Sequence, residues 1–358
     1  MPSFASHPRT ITDIAEEFSS AVCYLNTATM GLPSLATVRV LEETMRRWQS
    51  GVAQGSDFDE PIQRARELYA NLVNTDAGSV AIGSQASALA GLIAANLDDT
   101  AEVLVALSDF TSVSYPFLAQ QSRGVQVRTA PLAELVDEVH DSTTLVAVSA
   151  VQSANGAIAD LAALRARCTE VGARILLDLT QASGWFEVCA ADYAYTICSA
   201  YKWLMGQRGG AFLTVSPECR DSLIPHSAGW FAGQNPWSSV YADTLELADD
   251  ARRFDVSPAW HSWASLVPSL ELVTALGRPV IEEHSVGLAN ACADRLGLPR
   301  PGGPILSVPI SGDISPVLER AEITAAIRAG ALRLSFYIYN NENDVDRAVE
   351  AIAAYVVR

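Results

Sequence analysis

The sequence predicts an α/β fold, in which a mostly parallel sheet is covered by helices on both faces and is followed by a small C-terminal α+β domain. Near-continuous apolar runs of strand length alternate with helical stretches between residues 79 and 216, as in strands that are buried on both faces. This alternation stops after about residue 220. A chain of 358 residues is also long enough for one large domain and one smaller one.

The individual elements follow from the spacing of apolar residues. Helical spacing predicts two helices before the alternating region, over residues 34–50, which ends at Gly51, and over 61–73. The predicted strands are 79–83, 101–107, 143–151, 173–179, 192–199 and 210–216, and the helices among them are 84–97 and 160–172. The remaining predictions are a long loop over 226–241 and helices over 262–276, over 288–298 and from about 342.

Composition excludes several classes of protein. The formal net charge of −17 and the lack of a basic stripe argue against a nucleic-acid partner. No apolar run reaches the roughly 18 residues that span a bilayer, and the N-terminus does not resemble a secretory signal, so we expect a cytoplasmic protein without a membrane partner. The six cysteines and five histidines show neither CxxC nor HxxxH spacing, so we expect buried thiols and no metal site.

The chain contains a single lysine. Of its 24 basic residues, 23 are arginines and only Lys202 is a lysine. Its neighbours Tyr201, Trp203, Leu204 and Met205 are largely apolar. Apolar surroundings lower the pKa of an amine, so Lys202 is expected to act as a nucleophile or base, which a guanidinium cannot do. The alternative is a surface lysine whose amine lies in water.

Polar residues stand where the predicted strands end, which is where ligands bind in an open parallel sheet. Asp178 closes one apolar run, Gln181 follows it, and Ser199 ends the next run. Asp178 could instead cap a helix. The turn GSQAS (83–87) joins a strand to a helix, where backbone N–H groups can hold a phosphate, although a serine-rich helix cap has the same sequence.

Together, a lysine at the sheet end, a preceding carboxylate and a phosphate-binding turn predict a site for pyridoxal 5′-phosphate. Lys202 would form the Schiff base with this cofactor. Asp178 would keep the pyridine nitrogen protonated, so that the ring can accept electrons.

The sequence resembles the class V aminotransferase-like family of fold-type I pyridoxal-phosphate enzymes. This group includes cysteine desulfurases, isopenicillin N epimerase-like proteins and kynureninases, and the chain is similar to C–S lyase-type members of actinobacterial sulfur metabolism. The resemblance is strongest over residues 174–215, which contain Asp-x-x-Gln and Lys-Trp-Leu-x-Gly-x-x-Gly. The stretch CYLNTATMGLPS (23–34) resembles the segment that opens many members. The resemblance implies an N-terminal segment (1–28) that packs on the small domain, a large cofactor-binding domain (29–245) and a small C-terminal domain (246–358).

The resemblance also implies roles for single residues around the cofactor. Gln85 and Ala86 would offer backbone N–H groups to the phosphate, and Ser87 a hydroxyl. Phe110 would stack on the pyridine ring, although a buried core phenylalanine is the alternative. The residues implied near the ring oxygen are Ser153 and Gln181, and the further residue at the phosphate is Ser199.

Two more implied residues concern the substrate and the assembly. Arg333 would hold the α-carboxylate of an amino-acid substrate, since a guanidinium binds a carboxylate with two hydrogen bonds. Ser257 would reach the phosphate from a neighbouring subunit, which implies a homodimer with shared active sites.

Departures from the family pattern bear on the reaction. Tyr201 precedes the lysine where many relatives have a histidine, and no cysteine follows Cys292, which argues against persulfide-forming desulfurase chemistry. We therefore expect a C–S β-lyase that acts on a cysteine S-conjugate. The alternatives are an aminotransferase, an epimerase, a decarboxylation-coupled oxidative deaminase on a small or sulfur-conjugated amino acid, and a non-catalytic binding protein of the same fold.

The loop 226–241 contains Trp230, Phe231, Trp237 and Tyr241. These rings could line a pocket for a bulky substrate or pack in a dimer interface. In the first interpretation, Trp230 and Tyr201 contact the substrate.

Overall fold

The fold is described from a computed structural model, which covers residues 10–357. The strands are β1 (Cys23–Tyr24), β2 (Val80–Gly83), β3 (Glu102–Ala106), β4 (Gln126–Ala130), β5 (Thr143–Ser149), β6 (Arg174–Asp178), β7 (Tyr195–Ser199), β8 (Ala211–Val215), β9 (Ile305–Val308), β10 (Ile323–Thr324), β11 (Ala326–Arg328) and β12 (Ala331–Ser335). The helices are α1 (Leu35–Gln49), α2 (Asp59–Leu72), α3 (Ala86–Ala95), α4 (Thr111–Leu118), α5 (Leu161–Val171), α6 (Pro217–Arg220), α7 (Pro236–Ser239), α8 (Trp260–Leu276), α9 (Arg278–Leu296), α10 (Ser315–Arg320) and α11 (Glu342–Ile352).

A seven-stranded sheet forms the centre of the molecule, with the strand order β2-β8-β7-β6-β5-β3-β4. The five strands from β7 to β4 in this order run parallel, and β8 is antiparallel to both of its neighbours. Two separate apolar clusters of buried residues, one containing Trp203 and one containing Leu176, pack on this sheet. The predicted α/β fold with a mostly parallel sheet is confirmed.

The first helix shows why local sequence predicted so much of this fold. The Ser34 side chain accepts a hydrogen bond from the Thr37 backbone N–H, which caps the start of α1. The helix stops before Gly51, whose φ of +76° suits a glycine. The other elements predicted over residues 61–216 begin and end within about three residues of the observed bounds.

Several elements differ from the sequence-based expectation, among them the short helix α7, which lies inside the predicted loop 226–241. The strand β4 was not predicted, because it lies at the sheet edge and is rich in polar residues, as edge strands are. The helix α4 was not predicted either, since Pro116 interrupts a weak helical signal. The helix α9 begins ten residues before the predicted start at 288, with a proline in its first turn.

The C-terminal region forms a smaller layer beside the sheet. The strands β11, β12 and β9 form an antiparallel sheet, and β10 pairs in parallel with β1 from the N-terminal part of the chain. Cys23 and Leu25 therefore lie in one apolar cluster with α9 and α11. The helix α8 instead packs against α1 and α2. The predicted boundaries at residues 28 and 245 stay predictions, and residues 1–9 of the N-terminal segment lie outside the described part.

Within residues 10–357, no single helix is long and apolar enough to cross a membrane. The pair α8 and α9, which is bent by 86° at its junction, meets that criterion by combined length and composition alone.

Candidate active site

The candidate site lies at the carboxyl ends of β6 and β7, which are neighbours in the parallel part of the sheet. Asp178 is the last residue of β6 and Ser199 is the last residue of β7. Lys202 follows three residues after Ser199. This end of the sheet is where an open parallel sheet binds its ligands, and the strand topology brings the three predicted residues to it.

Lys202 is buried, with 4% of its surface exposed. Burial lowers the pKa of its amine to about 8, and the Asp178 carboxylate partly opposes this effect. Its Nζ atom lies 5.1 Å from the centroid of the Phe110 ring and 5.8 Å from that of Tyr201. The surface-lysine alternative is therefore wrong: the amine is buried beside two aromatic rings, and its burial makes the ammonium easier to deprotonate than that of an ordinary lysine.

Asp178 is buried, with 3% exposed, and has no arginine partner within the described residues. It accepts a hydrogen bond of 2.8 Å from the Thr180 backbone N–H. Burial raises the pKa of its carboxyl group to about 6, against the effects of Thr180 and Lys202. The residues that follow form turns rather than a helix, so the helix-cap alternative is wrong. This carboxylate is available to a positively charged ligand group.

A second buried carboxylate, Asp109, was missed by the sequence reasoning. It accepts hydrogen bonds from the Ser149 backbone N–H at 2.7 Å and the Ser149 hydroxyl at 2.5 Å, and from the Phe110 N–H at 2.6 Å. These bonds tie the start of α4 to the end of β5. Phe110 itself is 44% exposed, so it is not a core residue, and its ring lies against Lys202. The signal for Asp109 was its position next to Phe110, just after a strand.

The N-terminus of α3 is open toward the same site. Gln85 occupies the N-cap position but forms no side-chain cap, so the serine-rich-cap alternative is not what the structure shows. The Ala86 backbone N–H donates to Ser199 Oγ over 3.2 Å, and Ser199 N donates to Thr180 Oγ1 over 3.0 Å. Ser87 is half-buried in the first turn. The N–H groups of this turn that lack a side-chain cap can bind a phosphate.

Gln181 is held from three sides. Its Nε2 donates to Ala28 O over 2.9 Å and to Ser153 Oγ over 3.0 Å, and its Oε1 accepts from Trp203 Nε1 over 2.8 Å. Both amide protons are thus used within the chain. The predicted contact of Gln181 and Ser153 with the ring oxygen stays a prediction, and the free hydroxyl proton of Ser153 is the donor that is left for it.

Arg333 extends from β12 into the same group of residues. It is buried, donates from Nη1 to Ser153 O, and donates from Nη2 to Thr29 Oγ1 over 2.6 Å. Its Nε is buried without a hydrogen-bond partner. Burial lowers the pKa of the guanidinium to about 10, and the nearby Arg328 adds to the effect. The unpaired N–H suits an anionic ligand group, because a buried donor without a partner is costly.

The loop 26–31 closes the site from the other side and was not predicted to take part. Its glycine, Gly31, donates from its backbone N to Tyr201 O over 2.9 Å. A Cβ atom added to Gly31 would lie 2.1 Å from Lys202 O, a distance that real structures do not tolerate. Only a glycine at this position lets the loop approach the backbone of Lys202.

The remaining predicted residues are less buried than Lys202 and Asp178. Tyr201 is half-buried, and the Arg208 Cζ atom lies 4.7 Å above its ring. Ser257 is exposed, next to Val256, whose N–H reaches Ile82 O at the end of β2.

Trp230 packs on other members of its own loop, with ring centroids 4.9 Å from Trp237 and 5.2 Å from Phe231. Trp237 in turn donates to Asp59 Oδ2 over 2.6 Å. No ring contact within residues 10–357 joins Trp230 to Lys202 or Arg333, so its role in substrate binding stays a prediction.

The residues present fit pyridoxal 5′-phosphate. The neutral form of the buried amine can bind its aldehyde, a buried carboxylate without an arginine partner can face its ring nitrogen, and the N-terminus of α3, which has no side-chain cap from Gln85, can hold its phosphate. Within the described residues, His, Cys, Asp and Glu form no group of three or more that could hold a metal ion.

Comparisons with known proteins agree with this geometry. The family model for aminotransferase class-V matches residues 25–300. The chain is 24% identical to "Uncharacterized aminotransferase YcbU" of Bacillus subtilis (strain 168), over 96% of this chain and 99% of the relative. It is 25% identical to an isopenicillin N epimerase of Streptomyces clavuligerus, over 82% of this chain and 84% of the relative.

A solved structure shows the same fold. The cystine C–S lyase C-DES, in complex with its reaction product cysteine persulfide, superposes with a TM-score of 0.86 at 18% identity, over 94% of this chain and 99% of that chain. The matched family model and the site geometry lead to one conclusion. The chain belongs to the aminotransferase class-V family and is a pyridoxal-phosphate-dependent enzyme of fold type I.

Proposed function

We propose that this enzyme is a C–S β-lyase, which breaks the bond between the β-carbon and the sulfur of a cysteine S-conjugate. The observation that carries the proposal is that Cys198, which directly precedes Ser199 at the end of β7, is a buried thiol. It is 1% exposed, and burial raises its pKa to about 12, so it is not a thiolate that accepts sulfur. No cysteine follows Cys292 in the sequence. Sulfur therefore leaves with the product.

Lys202 supplies the base in this proposal. With a pKa of about 8, the amine loses its proton far more readily than an ordinary lysine, and its neutral form can take the proton from the α-carbon of the amino acid. The bound cofactor supplies an electron sink for the negative charge that develops at that carbon. Asp178 would hold the proton on the ring nitrogen, and Phe110 would cover the ring face.

Arg333 orients the substrate. Its unpaired Nε–H and its guanidinium charge favour binding of the α-carboxylate, while Ser153 and Thr29 hold the side chain in one conformation. As the C–S bond breaks, the sulfur leaves with the bonding electrons and takes up a proton. The overall products are a thiol, pyruvate and ammonia, with water consumed.

The test is to incubate the holoenzyme with S-substituted cysteines and to measure thiol and pyruvate separately. We expect both products in equal amounts, and neither with Lys202→Ala, which removes the base. If no thiol appears while a keto acid accumulates only after an amino acceptor is added, the lyase proposal is wrong.

Transamination is the second candidate, because the relative that covers 96% of this chain is named an aminotransferase. The dependence on an amino acceptor in the same assay identifies this reaction. Loss of optical activity without thiol release would identify an epimerase, and release of carbon dioxide with ammonia would identify the decarboxylating deaminase. A colourless wild-type protein that cannot be reconstituted with pyridoxal phosphate would favour a non-catalytic binding role.

We further propose a homodimer in which Ser257 serves the partner's site. Ser257 is exposed. Two large apolar side chains are exposed as well: Trp48 on α1, at 61%, and Leu245 in the segment that precedes Ser257, at 75%. Burial of such residues stabilises interfaces. The cytoplasm stays the predicted location, and the six free cysteines are compatible with a reducing compartment.

Mixed dimers test this arrangement. A Lys202→Ala subunit paired with a Ser257→Asp subunit has one intact site only if Ser257 acts across the interface. Random mixing would then restore about a quarter of the wild-type activity. If the mixture is as inactive as the separate variants, while the protein is dimeric by light scattering, Ser257 does not serve the partner's site.

A further inference from the structure

The hairpin formed by β11 and β12 carries two arginines toward the site. Ala326 pairs with Arg333, and Arg328 pairs with Ala331. Directly paired residues of an antiparallel ladder share a face, and side chains alternate along each strand, so Arg328 and Arg333 lie on the same face. Since Arg333 contacts Ser153 and Thr29, this face looks into the active site.

The turn of the hairpin fixes the position of Arg328. Ala329 and Gly330 both have positive φ, at +47° and +80°, as in the two-residue turns that match the strand twist. A tight turn of this kind leaves Arg328 directly before the tip of the hairpin, close to the ladder that places Arg333.

The two arginines differ in what they bind. Arg333 is buried and has protein partners on both terminal nitrogens, whereas Arg328 is exposed. Arg328 donates only to the carbonyl of its neighbour Ile327, over 2.8 Å, and forms no ion pair within residues 10–357. By comparison, the exposed Arg295 contacts both Glu342 and Asp346. Arg328 is thus a cation whose charge is not neutralised by the chain.

The charge of Arg328 reaches the reacting groups. It lowers the pKa of both Lys202 and Arg333, so it lies close enough to act on the site electrostatically. One α-carboxylate can neutralise Arg333. The charge of Arg328 then remains for a second anion at the mouth of the site.

We propose that Arg328 is a specificity-determining residue, which selects amino acids whose side chain carries a second negative charge, such as a carboxylate or sulfonate. This inference rests on the proposed function, since it assumes that Arg333 holds the α-carboxylate. The substrate would then be an acidic cysteine S-conjugate, anchored at both ends by guanidinium groups. Conjugates whose side chain is positively charged or neutral would bind less tightly.

The test uses two ligands that differ in charge but hardly in size, S-carboxymethyl-L-cysteine and S-carbamoylmethyl-L-cysteine. Binding to the holoenzyme is followed by the change in visible absorption of the cofactor, and turnover by thiol release. We expect wild type to bind the acid about five- to tenfold more tightly than the amide, as one charge-assisted contact allows. Arg328→Gln should remove this preference by weakening the binding of the acid more than that of the amide, and Arg328→Lys should retain part of it.

The outcomes separate this inference from the proposed function. If neither ligand changes the absorption of the cofactor, amino-acid binding itself fails. If both bind but no thiol is released, the lyase reaction fails while the preference can still be measured. If wild type binds both equally, or if Arg328→Gln weakens both to the same extent, the role of Arg328 is overturned.

Discussion

Two aspartates of this protein have the same burial and different surroundings. Asp178 and Asp255 are 3% and 1% exposed, and burial raises the pKa of each to about 6. Asp255 accepts from Arg66 Nη2 over 2.7 Å and from Ile82 N over 2.8 Å. Asp178 accepts from Thr180 N and has no arginine beside it. The protein itself supplies the hydrogen-bond donors and the cation that the Asp255 carboxylate needs, whereas the Asp178 carboxylate is left for a ligand.

The position of each aspartate explains the difference. The pair Arg66 and Asp255 fastens α2 to β2, because Arg66 also donates to Val80 O and Asp255 accepts from Ile82 N. It therefore fixes the strand that leads into the phosphate-binding turn. Asp178 is the last residue of β6, and within the described residues the charge that favours its ionised form is that of Lys202, with which it forms no ion pair. Burial alone does not identify a functional carboxylate, but burial without a cationic partner does.

The largest effect is expected for Asp178→Asn. An amide of the same shape cannot stabilise a protonated ring nitrogen, so thiol release should fall by about 10²- to 10⁴-fold. Stability should change little or increase, because a buried carboxylate without a cationic partner is removed. The measurements are kcat/KM and urea unfolding of the apoprotein. Retention of full activity would show that Asp178 does not serve the cofactor.

The next largest effect, a loss of stability, is expected at Asp255, whose carboxylate is paired with Arg66. Asp255→Asn leaves the Arg66 charge buried without its partner, so the free energy of unfolding should fall by about 3–5 kcal/mol. Urea unfolding measures this loss. The control is Arg66→Met combined with Asp255→Leu, which removes both charges and should recover the part of the stability that the unpaired charge costs, while the Ile82 N–H stays without its acceptor. An equal loss in the single and the double variant would mean that shape, not charge, determines the stability here.

Gly31→Ala should have a smaller effect on stability and should also lower the affinity for the cofactor. The new methyl group would meet Lys202 O, so the loop 26–31 must move, at a cost of about 1–3 kcal/mol. Cofactor affinity, measured by equilibrium titration, should fall with it. Gly287→Ala in α9 is the matched control, since nothing lies within 4 Å of its added Cβ, and it should stabilise by about 0.5–1 kcal/mol. Unchanged cofactor affinity in Gly31→Ala would contradict the close approach.

The smallest effect is a shift of one titration curve. Protein labelled with ¹³C at the lysine Cε should give one resonance, and in the apoprotein its midpoint should lie at about pH 8. Burial disfavours the ammonium form, so the folded protein loses the proton at a lower pH than the ordinary value of 10.5. Asp178→Asn should move the midpoint lower still, because the carboxylate stabilises the ammonium. A midpoint near 10.5 would mean that the amine is solvated.

Much of the fold and the two central residues could be predicted from local sequence. Apolar runs located the strands; Asp178 is the last residue of one of them, and Lys202 lies three residues after the end of the next. Arg333 needed the family resemblance, because its surroundings on β12 show no local sign of a site.

The supporting residues could not be predicted from local sequence, because their partners are distant in the chain. Gln181 meets Ala28 across 153 residues, and Arg66 meets Asp255 across 189. Such contacts depend on the three-dimensional path of the chain, which periodicity does not encode.

The single lysine also determines where the protein reacts with carbonyl compounds. Simple aldehydes react with amines, and in most proteins many surface lysines take part in this reaction. Among the side chains of this protein, only Lys202 can form a Schiff base with a simple aldehyde, because the 23 arginines stay protonated at neutral pH. Because Lys202 is buried, the shape of its pocket is the barrier that decides which carbonyl compounds reach it. The same feature makes a carbonyl compound shaped for this pocket a selective label for the reacting group.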